Sequence, residues 1–268
     1  MASWRTGTSK QYQVYLERWS QFCQSRGIDY TAASIDNGID FLATLFASGL
    51  GHSAINTARS ALSSVVALPD NTTFGSHPLV TRFLKGVFEL KPSLPRYSSI
   101  WDVGVVLTHL RRRGIASTLD LKTLTRKTTM LLCLLTGQRC QTLTKLDVTL
   151  MQILQGKIVF TIGEKLKTTR PGKHLEPIEL LEYPQDESVC VVSHLKQYIK
   201  CTVQLRAAQH TRLLISHSKP HKPLTNSTVG KWAKSVLREA GIDTSTFSDK
   251  SARPASTSYG HCMAPAAA

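Results

Sequence analysis

The sequence has 268 residues, 41% of them hydrophobic, and its 33 basic and 18 acidic side chains give a formal charge of +15. That length supports one large domain or two of ordinary size around a packed core. No secretory signal is read, because the opening "MASWRTGTSK" lacks an apolar segment, and no run approaches the ~18 apolar residues of a membrane span.

The basic excess favours an anionic partner, and nucleic acid is the commonest large one. Charge alone equally suits a basic protein with no such partner. The excess is uneven: residues 1–96 hold nine basic and six acidic residues, and residues 97–268 hold 24 and 12. The six cysteines (Cys23, Cys133, Cys140, Cys190, Cys201, Cys262) form no CxxC pair. They read as core thiols of a reducing compartment, with no zinc site.

In chain order, Thr8 with Gln11 suggests a capping box that opens a first helix. Tyr12, Tyr15, Leu16, Trp19, Phe22 and Cys23 recur at helical spacing until Gly27 stops the run. Further helices are predicted over 34–48, 53–67 and 78–88, which together make a small bundle. The prolines of "ELKPSLPRYSS" at 89–99 break regular structure. The domain reading is a helical unit over 1–92, a linker over 93–104 and a second unit over 105–268.

In the second unit, helices are predicted at 101–110, 124–135, 188–203 and 227–240. The stretch 156–180 breaks that pattern. Ile158, Phe160 and Ile162 alternate, and Leu175, Ile178 and Leu180 recur after "RPGK", predicting a hairpin or a small three-stranded sheet. "RLLIS" at 212–216 is a strand or a loop. The fold class is mainly α with a small β-sheet.

Three pieces could carry chemistry. In "LLCLLTGQRCQTLTKLDV" at 131–148, Gly137 permits a tight bend that would fix Arg139, whose planar fork suits a phosphate. The same pattern suits a helix-end arginine in solvent. Lys165, Lys167, Arg170 and Lys173 crowd one hairpin, which could straddle a phosphate backbone or be an ordinary solvated turn. In "FSDKSARPAS", Lys250 and Arg253 would meet near the amino end of a helix beginning near Ser251. There the exposed N–H groups also favour a phosphate, though Pro254 by itself marks only a first helical turn.

Taken together, these pieces resemble the tyrosine recombinase and integrase superfamily. The likeness is to integrase-like proteins of eukaryotic retroelements in particular. "SWRTGTSKQYQVYLERWSQFC" resembles the start of the family's core-binding (SAM-like) domain. "LPRYSSIWDVGVVLTHL" resembles the opening of its catalytic domain. "LLTGQRCQTLTKLDV" is similar to the first arginine box, and "FSDKSARPASTS" to the second, usually His-x-x-Arg. The resemblance covers nearly the whole chain.

The resemblance implies double-stranded DNA as partner, no cofactor, no metal and no membrane, and work in the nucleus, although "RRR" at 111–113 is too short to count as an import signal. The family's reaction joins a tyrosine to a 3′-phosphate and frees a 5′-hydroxyl. Arg139 and Arg253 resemble the two arginines that clamp the scissile phosphate. Lys167 resembles the lysine that protonates the leaving oxygen, with Lys165 its nearest competitor; Arg170 and Lys173 belong to the same DNA-binding hairpin. Fixed cations stabilise a phosphorane more than the ground state.

Two departures follow. Lys250 stands where histidine is usual, and a lysine near pKa ~10.4 donates hydrogen bonds but is no base at neutrality. Only 15 residues follow Arg253, and the family's nucleophilic tyrosine lies beyond that distance. Tyr259 and His261 are therefore not assigned as nucleophile and acid. The expectation is a catalytic-type domain incomplete at its C-terminus and inactive as it stands, with self-association on DNA weakened by the missing helices. The alternative is a non-catalytic, transposon-derived DNA-binding protein. A misfolding remnant is the third reading.

Overall fold

A computed structural model describes residues 4–68, 72–93, 99–166, 169, 172, 175–207 and 209–263. Contacts divide the chain into two compact units, Met1–Arg96 and Tyr97–Ala268. The class is mainly α with one small antiparallel sheet. No described helix is long and apolar enough to cross a membrane.

The first unit holds α1 (Thr6–Arg26), α2 (Ile35–Ala47), α3 (His52–Leu62) and α4 (Pro78–Leu90). Gly27 ends α1 in the left-handed conformation, φ 63°, where a β-carbon would be strained. Ser34 caps α2 by accepting from the Asn37 N–H, and Pro78 opens α4 at a position whose N–H has no helical partner. Trp19 is fully buried among Phe41, Leu42, Ile55 and Phe74, and its indole N–H donates to the Tyr30 carbonyl at 3.0 Å.

The capping box expected at Thr8 does not form. The helix begins at Thr6 with Arg5 before it and no side-chain cap. The earlier start brings Trp4 edge-on to Tyr12, with ring centroids 5.1 Å apart. Such an edge-on aromatic pair is a favourable packing arrangement.

The second unit holds α5 (Val103–Arg112), α6 (Leu121–Thr136), α7 (Cys140–Leu143), α8 (Val191–Thr202), α9 (Asn226–Glu239) and α10 (Ala252–Met263). Its strands are β1 (Met151–Leu154), β2 (Lys157–Phe160) and β3 (Ile178–Leu181), in the order β1-β2-β3. Asp102, Asp120 and Thr225 cap α5, α6 and α9. Helix α6 is the axis of the unit: it touches α8, α9 and α10 and is buried almost throughout from Leu124 to Leu134.

The sheet is antiparallel, pairing Met151 with Phe160 and Phe160 with Ile178. Ile158 and Phe160 point into the core. The strands are shorter than the alternation suggested, ending before Ile162 and starting after Leu175. Past Phe160 the chain closes on Leu150, whose δ-carbon would lie 2.6 Å from a β-carbon at Gly163. Strand β1 escaped the sequence reading because Ile153 and Leu154 are both exposed, so no alternation marks it. The "RLLIS" piece forms only isolated bridges, Asp147 to Arg212 and Ile215 to Pro223. Tyr198 pins it, its hydroxyl accepting from the Ile215 N–H at 2.9 Å and donating to the Ile215 carbonyl at 3.2 Å.

Two buried titratable groups sit on α6 and α8. Lys127 donates to the Gly114 carbonyl at 2.5 Å, and burial pulls its pKa down to about 8. Burial likewise pulls His194 down to about 4. Of the thiols, Cys23, Cys133 and Cys190 are buried, Cys140 half-buried and Cys201 exposed.

Candidate functional site

Arg139 is placed by the end of α6. Gly137 takes the left-handed conformation, φ 56°, and its N–H returns to the Cys133 carbonyl at 3.2 Å. The Gln138 N–H donates to the Thr136 hydroxyl at 3.3 Å. Arg139 is then extended, and its carbonyl accepts from the Thr142 N–H at 2.8 Å to open α7. The backbone is thus held on both sides of Arg139 while its side chain is exposed.

Arg253 is placed by a different device. A 3-10 turn over Asp249–Ser251 leads into α10. The Ser251 N–H reaches the Ser248 carbonyl at 2.9 Å, and the Lys250 N–H reaches the Ser248 hydroxyl at 3.3 Å. Ala252 and Ala255 are buried, so Arg253 between them is exposed on the first turn; Lys250 is exposed too. Pro254 sits where the helix needs no donor.

These two devices meet. The Ser256 hydroxyl of α10 donates to the Leu134 carbonyl of α6. A β-carbon at Gly137 would lie 3.5 Å from that hydroxyl and 3.7 Å from the Thr257 methyl. The last turn of α6, just before Arg139, is therefore packed on the first turns of α10, which carry Arg253.

Lys165 is exposed between two anchors. On one side Glu164 pairs with Arg212 and with Lys145, the latter at 2.5 Å. On the other, Leu166 is buried and its N–H donates to the Thr169 hydroxyl at 2.8 Å. Lys167, Arg170 and Lys173 lie outside the described residues. Tyr259 falls on α10, the helix of Arg253.

Some cations of this unit are paired and others are not, Arg112, Lys122, Lys231, Lys234 and Arg238 being among those with no carboxylate partner among the described residues. Arg111, Arg113, Arg126, Lys145, Lys157, Lys196 and Arg212 all have carboxylate partners. Among the described residues, Arg139, Lys165, Lys250 and Arg253 have none. Exposed guanidinium forks on anchored backbone are equipped to grip an anion bidentately. Asp147, after the first box, serves structure instead. Burial pushes its pKa up, but hydrogen bonds from Thr149 and Thr211 and the charge of Arg212 outweigh it and hold the group below the usual carboxylate range.

No protein-family model and no curated protein matches the sequence. Solved structures do. A lambda integrase dimer bound to a COC′ core site is 17% identical, with 95% of this chain and 64% of that one covered and a TM-score of 0.53. XerH site-specific recombinase bound to palindromic difH substrate is 12% identical over 94% of this chain and 68% of that one, at 0.60. The Tn1549 transposon integrase with transposon right end DNA is 11% identical over 94% and 88%, at 0.61.

The chain has the tyrosine-recombinase fold.

At these identities the likeness is one of fold. The chain spans 64% and 68% of the length of the first two structures it matches. Within the tyrosine-recombinase fold, the first unit is the helical bundle and the second the mainly helical unit with the three-stranded sheet. Sequence reasoning missed two supports of the site. One is the Glu164 pairing with Arg212 and Lys145, which is long-range and leaves no local pattern. The other is Trp101, whose indole N–H donates to the Ser251 hydroxyl at 2.9 Å. A tryptophan just before a helix was its only signal.

Proposed function

We propose that this protein binds double-stranded DNA through its recombinase-type second unit, with Arg139 and Arg253 gripping one phosphate. The observation that carries the reading is the seating of α10 on the end of α6, which anchors on either side of one contact two exposed arginines that have no carboxylate partner among the described residues. The net positive charge of residues 97–268 supplies the long-range attraction. Lys250 adds charge and a hydrogen-bond donor beside Arg253. Lys165 and, by the motif resemblance, Lys167, Arg170 and Lys173 extend the contact along the backbone.

The chemistry implied for the fold is recombination or integration by phosphotyrosyl strand exchange. In that reaction a tyrosine oxygen attacks phosphorus, the 5′-oxygen leaves with a proton from the hairpin lysine, and the arginines hold the phosphorane charge. Tyr259 is not assigned that role. It lies six residues from Arg253 on one helix, only about 9 Å along the axis. The reading is therefore a DNA clamp that does not cleave through Tyr259. A transposable-element origin and work in the nucleus belong to the same proposal and rest on the motif resemblance.

The test is DNA affinity of the full chain against a labelled duplex. Arg139→Ala and Arg253→Ala should each weaken binding about tenfold, the scale of a charge-assisted contact. Unchanged affinity in both variants would remove the phosphate-gripping role.

A further inference from the structure

We propose that Trp101 is a positioning residue for the second arginine box, acting through Ser251 on Arg253. Trp101 lies 150 residues from Ser251 in sequence, just ahead of α5. Asp102 caps that helix by accepting from the Gly104 N–H at 2.7 Å. Trp101 and Ser251 are 5% and 2% exposed, so water does not compete for their bond.

The polarity of this bond is determined. An indole N–H only donates, so the Ser251 oxygen must accept from it and send its own proton elsewhere. That proton goes to the Ser248 carbonyl at 2.5 Å, the same carbonyl that accepts from the Ser251 N–H at 2.9 Å. The 3-10 turn over Asp249–Ser251 is thereby closed by a chain of bonds that begins at Trp101. Lys250 is inside the turn and Arg253 two residues past it. Loss of the indole N–H leaves a buried hydroxyl short of a donor, and the turn can relax only by moving the start of α10. Trp101 touches no substrate in this account.

The inference rests on Arg253 gripping a phosphate, and the experiment separates the two claims. Full-length parent, Trp101→Phe, Ser251→Ala, Arg253→Ala and the two doubles with Arg253→Ala are titrated with a labelled duplex of random sequence at several salt concentrations. Thermal melts identify folded variants. Trp101→Phe keeps an aromatic ring and removes the donor; Ser251→Ala removes only the hydroxyl and carries the test should the first variant fail to fold.

Each single variant should bind about three- to tenfold more weakly, the scale of one hydrogen bond. Each should also flatten the plot of log affinity against log salt by up to ~0.9, as loss of one phosphate contact does. Neither should weaken binding further when Arg253 is already alanine. Parental affinity and slope in both single variants would overturn the positioning role, and so would losses that simply add to that of Arg253→Ala. If Arg253→Ala itself binds as tightly as the parent, the phosphate reading fails and the positioning role fails with it.

Discussion

Gly137 at the end of α6 lies against Ser256 on α10, with a notional β-carbon 3.5 Å from the serine hydroxyl and 3.7 Å from the neighbouring Thr257 methyl. The first is ordinary contact distance, so room is not what excludes a side chain. The backbone conformation is, at φ 56°. The glycine lets α6 stop, turn toward Arg139 and still seat α10.

Gly137→Ala should therefore cost stability through the left-handed backbone alone, by about 1 kcal/mol. Urea unfolding of the parent and the variant measures it. A variant as stable as the parent would show that the turn is not held in that conformation.

Raising salt from about 50 to about 200 mM should weaken DNA binding steeply. Each neutralised phosphate contributes a slope near −0.9, and six contacts would lower affinity by about a thousandfold. Fluorescence anisotropy across the salt range gives the slope directly. A flat response would contradict binding through the phosphate backbone.

His194 should make the fold acid-sensitive. It is fully buried, its Nδ1 lies 2.8 Å from the Cys190 carbonyl, and Nε2 has no partner among the described residues. Burial lowers its pKa to about 4; the Cys190 hydrogen bond opposes this and the Lys127 charge adds to it. The unfolded histidine titrates near ~6.5, so the unfolded state takes the proton first. The stability that neutral His194 provides is complete above about pH 6.5 and is lost as pH falls through about 4, by roughly 3 kcal/mol in all. Denaturant unfolding at successive pH values should show this loss in the parent and a smaller one in His194→Leu. Equal acid slopes in the two proteins would exclude the histidine as its source.

Incubation with a nicked suicide DNA substrate should leave no covalent protein–DNA adduct at Tyr259. Denaturing gels and peptide mapping read the result. An adduct at Tyr259 would mean that α10 supplies both the phosphate clamp and the nucleophile.

The local signals in the sequence were strong wherever one element determines its own shape. Helical spacing placed α2, α4, α6, α8 and α9 to within a few residues, and Gly27 and Gly137 marked the stops, because an apolar stripe and a left-handed glycine are written into adjacent residues. The bend before Arg139 and the helix start near Ser251 were legible for the same reason. What the sequence could not supply was everything that depends on two distant segments meeting. The Thr8 capping box did not form, the helix starting at Thr6 with the Trp4 and Tyr12 rings in contact across its first turns. Strand β1 has no alternation, since Ile153 and Leu154 are both exposed and pairing with β2 defines it. That α10 seats on α6, that Trp101 closes the turn before Arg253, and that Glu164 takes up Arg212 and Lys145 were decided only in the folded chain. Hydrogen bonds and ion pairs between residues far apart in sequence leave no periodicity behind, and burial, which gives them their strength, exists only once the chain has closed around them.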